Sequence, residues 1–360
     1  MKPTQRLHDL GQSLWLDNIT RDMLDDGTLE RYIDEFSVTG LTSNPSIFDK
    51  AISAGHAYDD GIREKVADGK HGETLFIELA LEDLRRAADL FKPIHEKTDG
   101  VDGWVSMEVS PLLASNTDGS IEAAAAIHQQ ADRENLFVKI PGTPEGLPAI
   151  EQSIFNGVPI NVTLLFSADQ CMAATEACLR GLERRQNEGR DLRLASVVSV
   201  FISRWDVAVA GREPPGLRNG LGIAVAQRTW REWCTLVSSE RWKRLEAAGA
   251  LMPRLLWAST STKDPNAPDT LYVEALAAPG TIDTIPDKTL EAFAEHGKVG
   301  EGMDPQGADS DKVLATFEDV GIGIAALADK LQRDGAAAFV KSWNDLLGRI
   351  EEKGKSLAEA

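Results

Sequence analysis

Cysteine is scarce in this 360-residue sequence: Cys171, Cys178 and Cys234 are an odd number with no C-x-x-C spacing. That pattern excludes a disulfide framework and a cysteine-built zinc site, and it fits reduced thiols in a cytoplasmic protein. The six histidines are scattered, with no H-E-x-x-H and no i, i+4 pair, so no histidine metal site is expected either. No apolar run is long enough to span a bilayer, and the opening MKPTQRLHDLGQSLWLDN lacks the apolar centre of a signal peptide. Basic residues are outnumbered 38 to 57, for a net charge of -19. Such a surface repels phosphate backbones and anionic lipid, so neither nucleic acid nor membrane is an expected partner. No G-x-G-x-x-G follows the first apolar run and no G-x-x-x-x-G-K-[ST] occurs anywhere. Both absences weigh against a nucleotide-binding sheet.

What is present is an alternation of short apolar runs and helical stretches. The runs SLWLD (13–17), SVTGLT (37–42), WVSMEV (104–109), LFVKI (136–140), INVTLLF (160–166), LASVVSVFI (194–202), RLLWAS (254–259) and TLYVEAL (270–276) read as eight buried strands. Strands alternating with helices argue for a parallel sheet, and eight of them argue for closure. The expectation is one domain over residues 1–360: an eight-stranded parallel (β/α)8 TIM barrel with added helices, including C-terminal ones after residue 308. Among the helices, Ser167 with Gln170 predicts a capping box, Pro144 a first helical turn, and 222–249 one long helix ended by Gly249. In that last stretch Trp230, Trp233 and Trp242 read as packing anchors. ETLFIELALEDLRRAADLFKPIHEK predicts a long helix or a pair, and AGREPPGLRNG (210–220) a surface loop.

One lysine breaks the apolar pattern, Lys139 in NLFVKIPGT. A strand-end lysine can snorkel to water, and taken alone Lys139 is explained that way. The other strand ends change the balance, because barrels of this kind gather their active sites there. They offer Asp17, Thr42 and Asn44, Glu108, Asn161 and Thr163, Ser199 and Arg204, and then Ser259, Ser261 and Lys263. The plain alternatives are that Asp17 caps a helix beginning at ITRDML, Asn44-Pro45-Ser46 makes a turn with a helix start, Thr163 is an ordinary strand threonine, and Arg204 pairs with Asp206 on the surface. A lysine, two carboxylates and two amides at one barrel mouth is nevertheless a set that a core does not need. It suits amine catalysis on a ketone. A lysine in a water-poor pocket gives up its proton more readily and can attack a carbonyl, and the resulting Schiff base is an electron sink. Carboxylates then move protons while amides and hydroxyls hold the sugar, and no metal or organic cofactor is required.

The motifs GLTSNPSIF, VSMEVSP, VKIPGT, INVTLLFS and WASTSTKDP resemble those of transaldolases, in the longer bacterial branch, and the likeness covers essentially the whole chain. The resemblance implies that Lys139 forms the Schiff base and that Glu108 acts through a water as acid and base. It implies that Asp17 takes the proton of the donor's C4 hydroxyl. Asn44 and Asn161 would hold the dihydroxyacetone hydroxyls, Thr163 would position the water, and Thr42 would support the turn after the second strand. Ser199 and Phe201 would line the sugar site, and Arg204 would bind phosphate. Shorter relatives carry a second arginine after the seventh strand; here Ser259, Ser261 and Lys263 stand in that region, and the second phosphate contact stays open among them. Sugar phosphates are the implied partners, with the chain a homodimer or a monomer. A related aldolase that releases free dihydroxyacetone is the nearest rival. Those relatives are much shorter and tend to have glutamine at the place of Glu108 and tyrosine at that of Phe201. A non-catalytic barrel is the rival from another class.

Overall fold

The strands run Ser13–Leu16 (β1), Val38–Thr42 (β2), Trp104–Glu108 (β3), Leu136–Pro141 (β4), Ile160–Leu165 (β5), Ser196–Phe201 (β6), Arg254–Ala258 (β7) and Ile282–Ile285 (β8). All neighbours pair in parallel and β8 closes on β1, giving a barrel in strict sequence order. The computed structural model describes residues 1–359. Nearly every strand residue is buried, as it must be when one face points into the barrel and the other under helices. That double burial is why the strands read as continuous apolar runs.

Side chains fill the lower half of the barrel. Trp15, Trp104, Phe137, Val197, Leu256 and Ile282 form one cluster, with the Trp104 and Phe137 rings stacked at 4.0 Å. Space for Trp15 comes from Gly40 on β2: a Cβ there would stand 2.7 Å from the Trp15 indole and from the Trp104 carbonyl. Below this floor the buried Asp102 accepts hydrogen bonds from Trp15 Nε1 (2.8 Å) and from Ser13. Arg254 ties the same end together through the carbonyls of Val101, Gly280 and Thr281.

Seven expected strands fall where the apolar runs lie; the eighth does not. Residues 271–275 form a short helix, Leu271–Ala275, whose Tyr272 and Val273 pack inward, and β8 is Ile282–Ile285 instead. At four residues with Asp283 in the middle, β8 has too little apolar periodicity to stand out, whereas the run at 270–276 imitates a strand. The stretch 222–249 is two helices, Leu221–Val237 and Glu240–Ala247, because Ser239 caps the second by accepting from the Trp242 amide. Pro144 lies before the helix Gly146–Asn156 rather than in its first turn, since Thr143 Oγ1 accepts from the Gly146 amide. Gly72–Lys97 is one helix that carries Pro93 in its last turns. Ser167 accepts from the Gln170 amide, while Gln170 Oε1 reaches back to the amide of Phe166. Trp230, Trp233 and Trp242 are buried as packing anchors, the first two stacked at 5.2 Å.

After β8 the chain adds Asp287–His296, Ser310–Asp319 and the long helix Ile324–Glu359. The last packs on the helices Pro45–Ala54, Asp59–Ala67 and Gly72–Lys97, with Trp343 edge-on to Phe76 and Arg349 paired to Asp49 at 2.7 Å. Its N-terminal half passes over the barrel mouth.

On β8, Asp283 is fully buried, with Oδ1 accepting from Thr260 Oγ1 at 2.7 Å and Oδ2 without a partner among the described residues. Burial pushes its carboxyl up to about 7, against the opposing hydrogen bond from Thr260. In the unfolded chain an aspartate ionises near ~4, so between about pH 4 and 7 the unfolded state holds fewer protons and folding loses free energy as pH rises. Asp283→Asn keeps the acceptor for Thr260 without the charge. It is expected to raise stability by a few kcal/mol at pH 8 and by less at pH 5, read from urea unfolding; a gain independent of pH would contradict this.

Candidate active site

Three adjacent strands bring the reacting types to one level. In the parallel register Glu108 on β3 stands beside Lys139 on β4, and Lys139 beside Asn161 on β5. Alternation puts all three side chains inside the barrel, immediately above the aromatic floor. Lys139 is 6% exposed and does not snorkel outward: its Nζ donates to the Ser43 carbonyl at 3.1 Å and lies 3.3 Å from Glu108 Oε1. The approach to Glu108 is an ion-pair distance rather than an aligned hydrogen bond, and neither Glu108 oxygen has a hydrogen-bond partner among the described residues. Burial drives the Glu108 carboxyl above the usual carboxylate range, with the Lys139 charge pulling the other way.

Asp17 follows β1, and Thr42 ends β2. The Thr42 hydroxyl reaches Asp17 Oδ1 (3.1 Å) and the Thr284 hydroxyl (2.7 Å). Enclosure raises the Asp17 carboxyl as well; the Lys139 charge and hydrogen bonds from Thr42 and Asn44 work against it. The helix that Asp17 could have capped, Arg21–Asp25, is capped by Thr20 instead. Asn44 does cap the helix Pro45–Ala54, its Oδ1 accepting from Ile47 N at 3.2 Å and from Ser46 Oγ at 2.6 Å. The plain reading of Asn44 is therefore right as far as its oxygen goes, and its amide nitrogen faces the site. Asn161 is fully buried beneath the cavity, donating to Ser106 Oγ (3.2 Å) and accepting from Ser199 Oγ (2.6 Å).

Thr163 owes its position to a break in the ladder. The β5–β6 register shifts between Val162 and Leu165, and Leu164 takes φ +60°, a left-handed conformation that a leucine adopts rarely. The Thr163 hydroxyl, buried and without a partner among the described residues, is presented to the cavity. Arg204 does not pair with Asp206. Asp206 is buried and accepts from the amides of Leu221 and Gly222 and from the Tyr272 hydroxyl. The Arg204 guanidinium lies instead over the Phe201 ring, 5.0 Å from its centre, and feels the charges of Glu108 and Asp17.

A cavity of about 180 Å³ opens at the C-terminal mouth. Of the expected residues, Asp17, Thr42, Asn44, Lys139, Thr163, Ser199, Phe201, Arg204, Ser259, Ser261 and Lys263 line it, while Glu108 and Asn161 lie behind its wall. Ser259 sits at φ +58° with its hydroxyl 2.9 Å from that of Ser203, and Lys263 bonds to Ser261 at the exposed rim. Sequence reasoning missed Ser46, Thr284, Pro286 and Phe339, which also line the cavity. Thr284 was lost with β8. Ser46 was visible, two residues past Asn44 in the same motif. Phe339 had no signal, because nothing in the sequence says that an appended helix reaches the mouth. Among the described residues no three histidine, cysteine, aspartate or glutamate side chains gather as a metal site, and no helix is long and apolar enough to cross a membrane.

A buried lysine flanked by two carboxylates at the C-terminal mouth of a closed parallel barrel defines a class, the lysine-bearing α/β-barrel enzymes. The chain belongs to the transaldolase/fructose-6-phosphate aldolase family, whose model matches residues 14–350. It is 42% identical to a transaldolase of Parafrankia sp., covering 99% of both chains, and 42% identical to one of Thermobifida fusca, covering 98% of both. A "Transaldolase 2" of Nostoc punctiforme is 37% identical over 97% of this chain and 96% of that one.

Proposed function

We propose that the chain, working as one domain, is a transaldolase. It transfers a dihydroxyacetone unit from fructose 6-phosphate or sedoheptulose 7-phosphate to glyceraldehyde 3-phosphate or erythrose 4-phosphate. The observation that carries this reading is the meeting of Lys139, Glu108 and Asp17 within one barrel mouth. The Lys139 amine adds to the donor's C2 carbonyl, and water leaves with protons handled by Glu108 through a water that Thr163 holds. The iminium then accepts the electrons of the C3–C4 bond as Asp17 takes the proton from the C4 hydroxyl. The aldose phosphate departs and a three-carbon enamine stays on the lysine. Attack of its carbon on the acceptor aldehyde, protonation of the new alkoxide by Asp17, and hydrolysis complete the transfer. Asn44 and Asn161 hold the hydroxyls of the retained unit, supported by Thr42 and Ser199.

Borohydride added with fructose 6-phosphate should fix the three-carbon unit to the peptide that contains Lys139, seen by mass mapping. Labelling of another lysine, or of none, would overturn the assignment.

Phosphate recognition sets a separate problem, since a dianion must approach a protein of net charge -19. A fixed cation is needed locally, and Arg204 supplies it with a planar fork suited to phosphate oxygens. Arg204→Ala should raise KM for phosphorylated donors roughly 10- to 100-fold, the worth of a charge-assisted contact, and far less for fructose. Trapping at Lys139 should persist at high donor concentration. Equal loss on both sugars would make Arg204 structural and move the phosphate to Ser259, Ser261 and Lys263.

A further inference from the structure

The helix Ile324–Glu359 lies outside the eight-fold repeat, yet one of its faces touches the site at three points. Gln332, Gly335 and Phe339 follow one another at helical spacing and so share that face. Gln332 is nearly buried, and its amide nitrogen donates to the carbonyls of Gly142 and Leu164, both at 3.0 Å. Those carbonyls lie just past β4 and near the end of β5, so Gln332 fixes the height of the helix over the mouth. Gly335 comes next. A Cβ there would lie 3.2 Å from Arg204 Nη1 and 3.0 Å from Leu164 Cδ2, closer than side chains pack without displacement. Glycine is a poor residue for a helix interior, and close approach of another group is a physical reason to have one. Phe339 then brings its ring to 5.9 Å from the Arg204 guanidinium and 6.5 Å from the Phe201 ring, at the cavity wall.

We propose that Gly335 and Phe339 are positioning residues that set the enzyme's preference for phosphorylated sugars by holding Arg204. The guanidinium lies between the Phe201 ring, the Phe339 ring and the bare backbone of the helix. These three walls hold the guanidinium at the mouth, against aromatic faces rather than in a salt bridge with a carboxylate. Among the described residues no carboxylate pairs with it, so its donors stay available to a phosphate. The inference rests on the reading of Arg204 given above and adds what keeps that residue in place.

The test compares kcat/KM for fructose 6-phosphate with that for fructose in Gly335→Ala, Phe339→Leu, Arg204→Ala and the double variant Arg204→Ala/Gly335→Ala. Gly335→Ala should lower the ratio on the order of 10-fold, the scale on which sub-ångström misplacement of a binding group acts, with the loss in KM rather than kcat. Phe339→Leu should move it in the same direction, and its milder packing change serves if the alanine variant folds poorly. In the Arg204→Ala background the Gly335→Ala change should add nothing. Equal loss on both sugars, or full additivity with Arg204→Ala, would overturn the proposal. If Arg204→Ala is phosphate-selective while Gly335→Ala and Phe339→Leu are silent, only the helix's part is wrong. If Arg204→Ala itself shows no selectivity, the phosphate reading of Arg204 falls and this inference with it.

Discussion

Replacing Lys139 by arginine is expected to abolish transfer while leaving the barrel folded. Arginine stays protonated at any pH the protein survives, so it has no lone pair to offer a carbonyl. It does keep the positive charge that faces Glu108 at 3.3 Å and that Asp17 also feels. Two enclosed carboxylates therefore do not lose their counter-charge, and the melting temperature should stay close to that of the unchanged protein. Turnover with fructose 6-phosphate should fall to the blank rate, and borohydride should no longer add a three-carbon unit. Retained turnover would end the Schiff-base account, because no other step supplies the electron sink needed to break a carbon–carbon bond.

The second large effect is expected at Glu108. Glutamine is nearly isosteric but cannot exchange a proton, so Glu108→Gln should lower kcat roughly 10²- to 10⁴-fold, the usual worth of a general acid–base group. Burial holds the Glu108 carboxyl above the ordinary carboxylate range. In the unchanged enzyme the carboxylate form is then lost as pH falls through that raised value. The acid limb of kcat against pH should accordingly lie above the pH at which a free glutamate titrates, and Glu108→Gln should flatten it. An acid limb that survives the substitution would assign that titration elsewhere, with Asp17 the first alternative since its carboxyl is raised too.

Much of this site was legible in the sequence because each group lies at the end of a strand that announces itself. Lys139 is surrounded by Phe137, Val138 and Ile140, and strands buried on both faces stand out as short continuous apolar runs in which one charge is conspicuous. Where that signal weakens, reading fails. β8 is four residues with an aspartate in it, so Thr284 went unseen although its hydroxyl lies 2.7 Å from that of Thr42. Ser239 looked like one more polar residue on a long helix, but a side chain that caps the next helix must end the first. Whether Arg204 pairs with Asp206 could not be settled from its neighbours in sequence. What decides it is that Asp206 is occupied by Leu221, Gly222 and Tyr272, partners 15, 16 and 66 residues away. Phe339 and Gly335 depend on a helix crossing the mouth, a tertiary fact with no local trace.

The aromatic floor has a consequence for the order of events. Trp15, Trp104 and Phe137 pack together below Lys139 and stand between the mouth cavity and a second cavity at the other end, so the mouth is the route that the site itself offers. Whatever is released on cleavage must leave by the way it came, and the incoming aldehyde needs the space it vacates. On the proposed mechanism donor and acceptor then take turns at the site. If the enzyme alternates in this way between a form with a free amine and one carrying three carbons, double-reciprocal plots at several acceptor concentrations should run parallel.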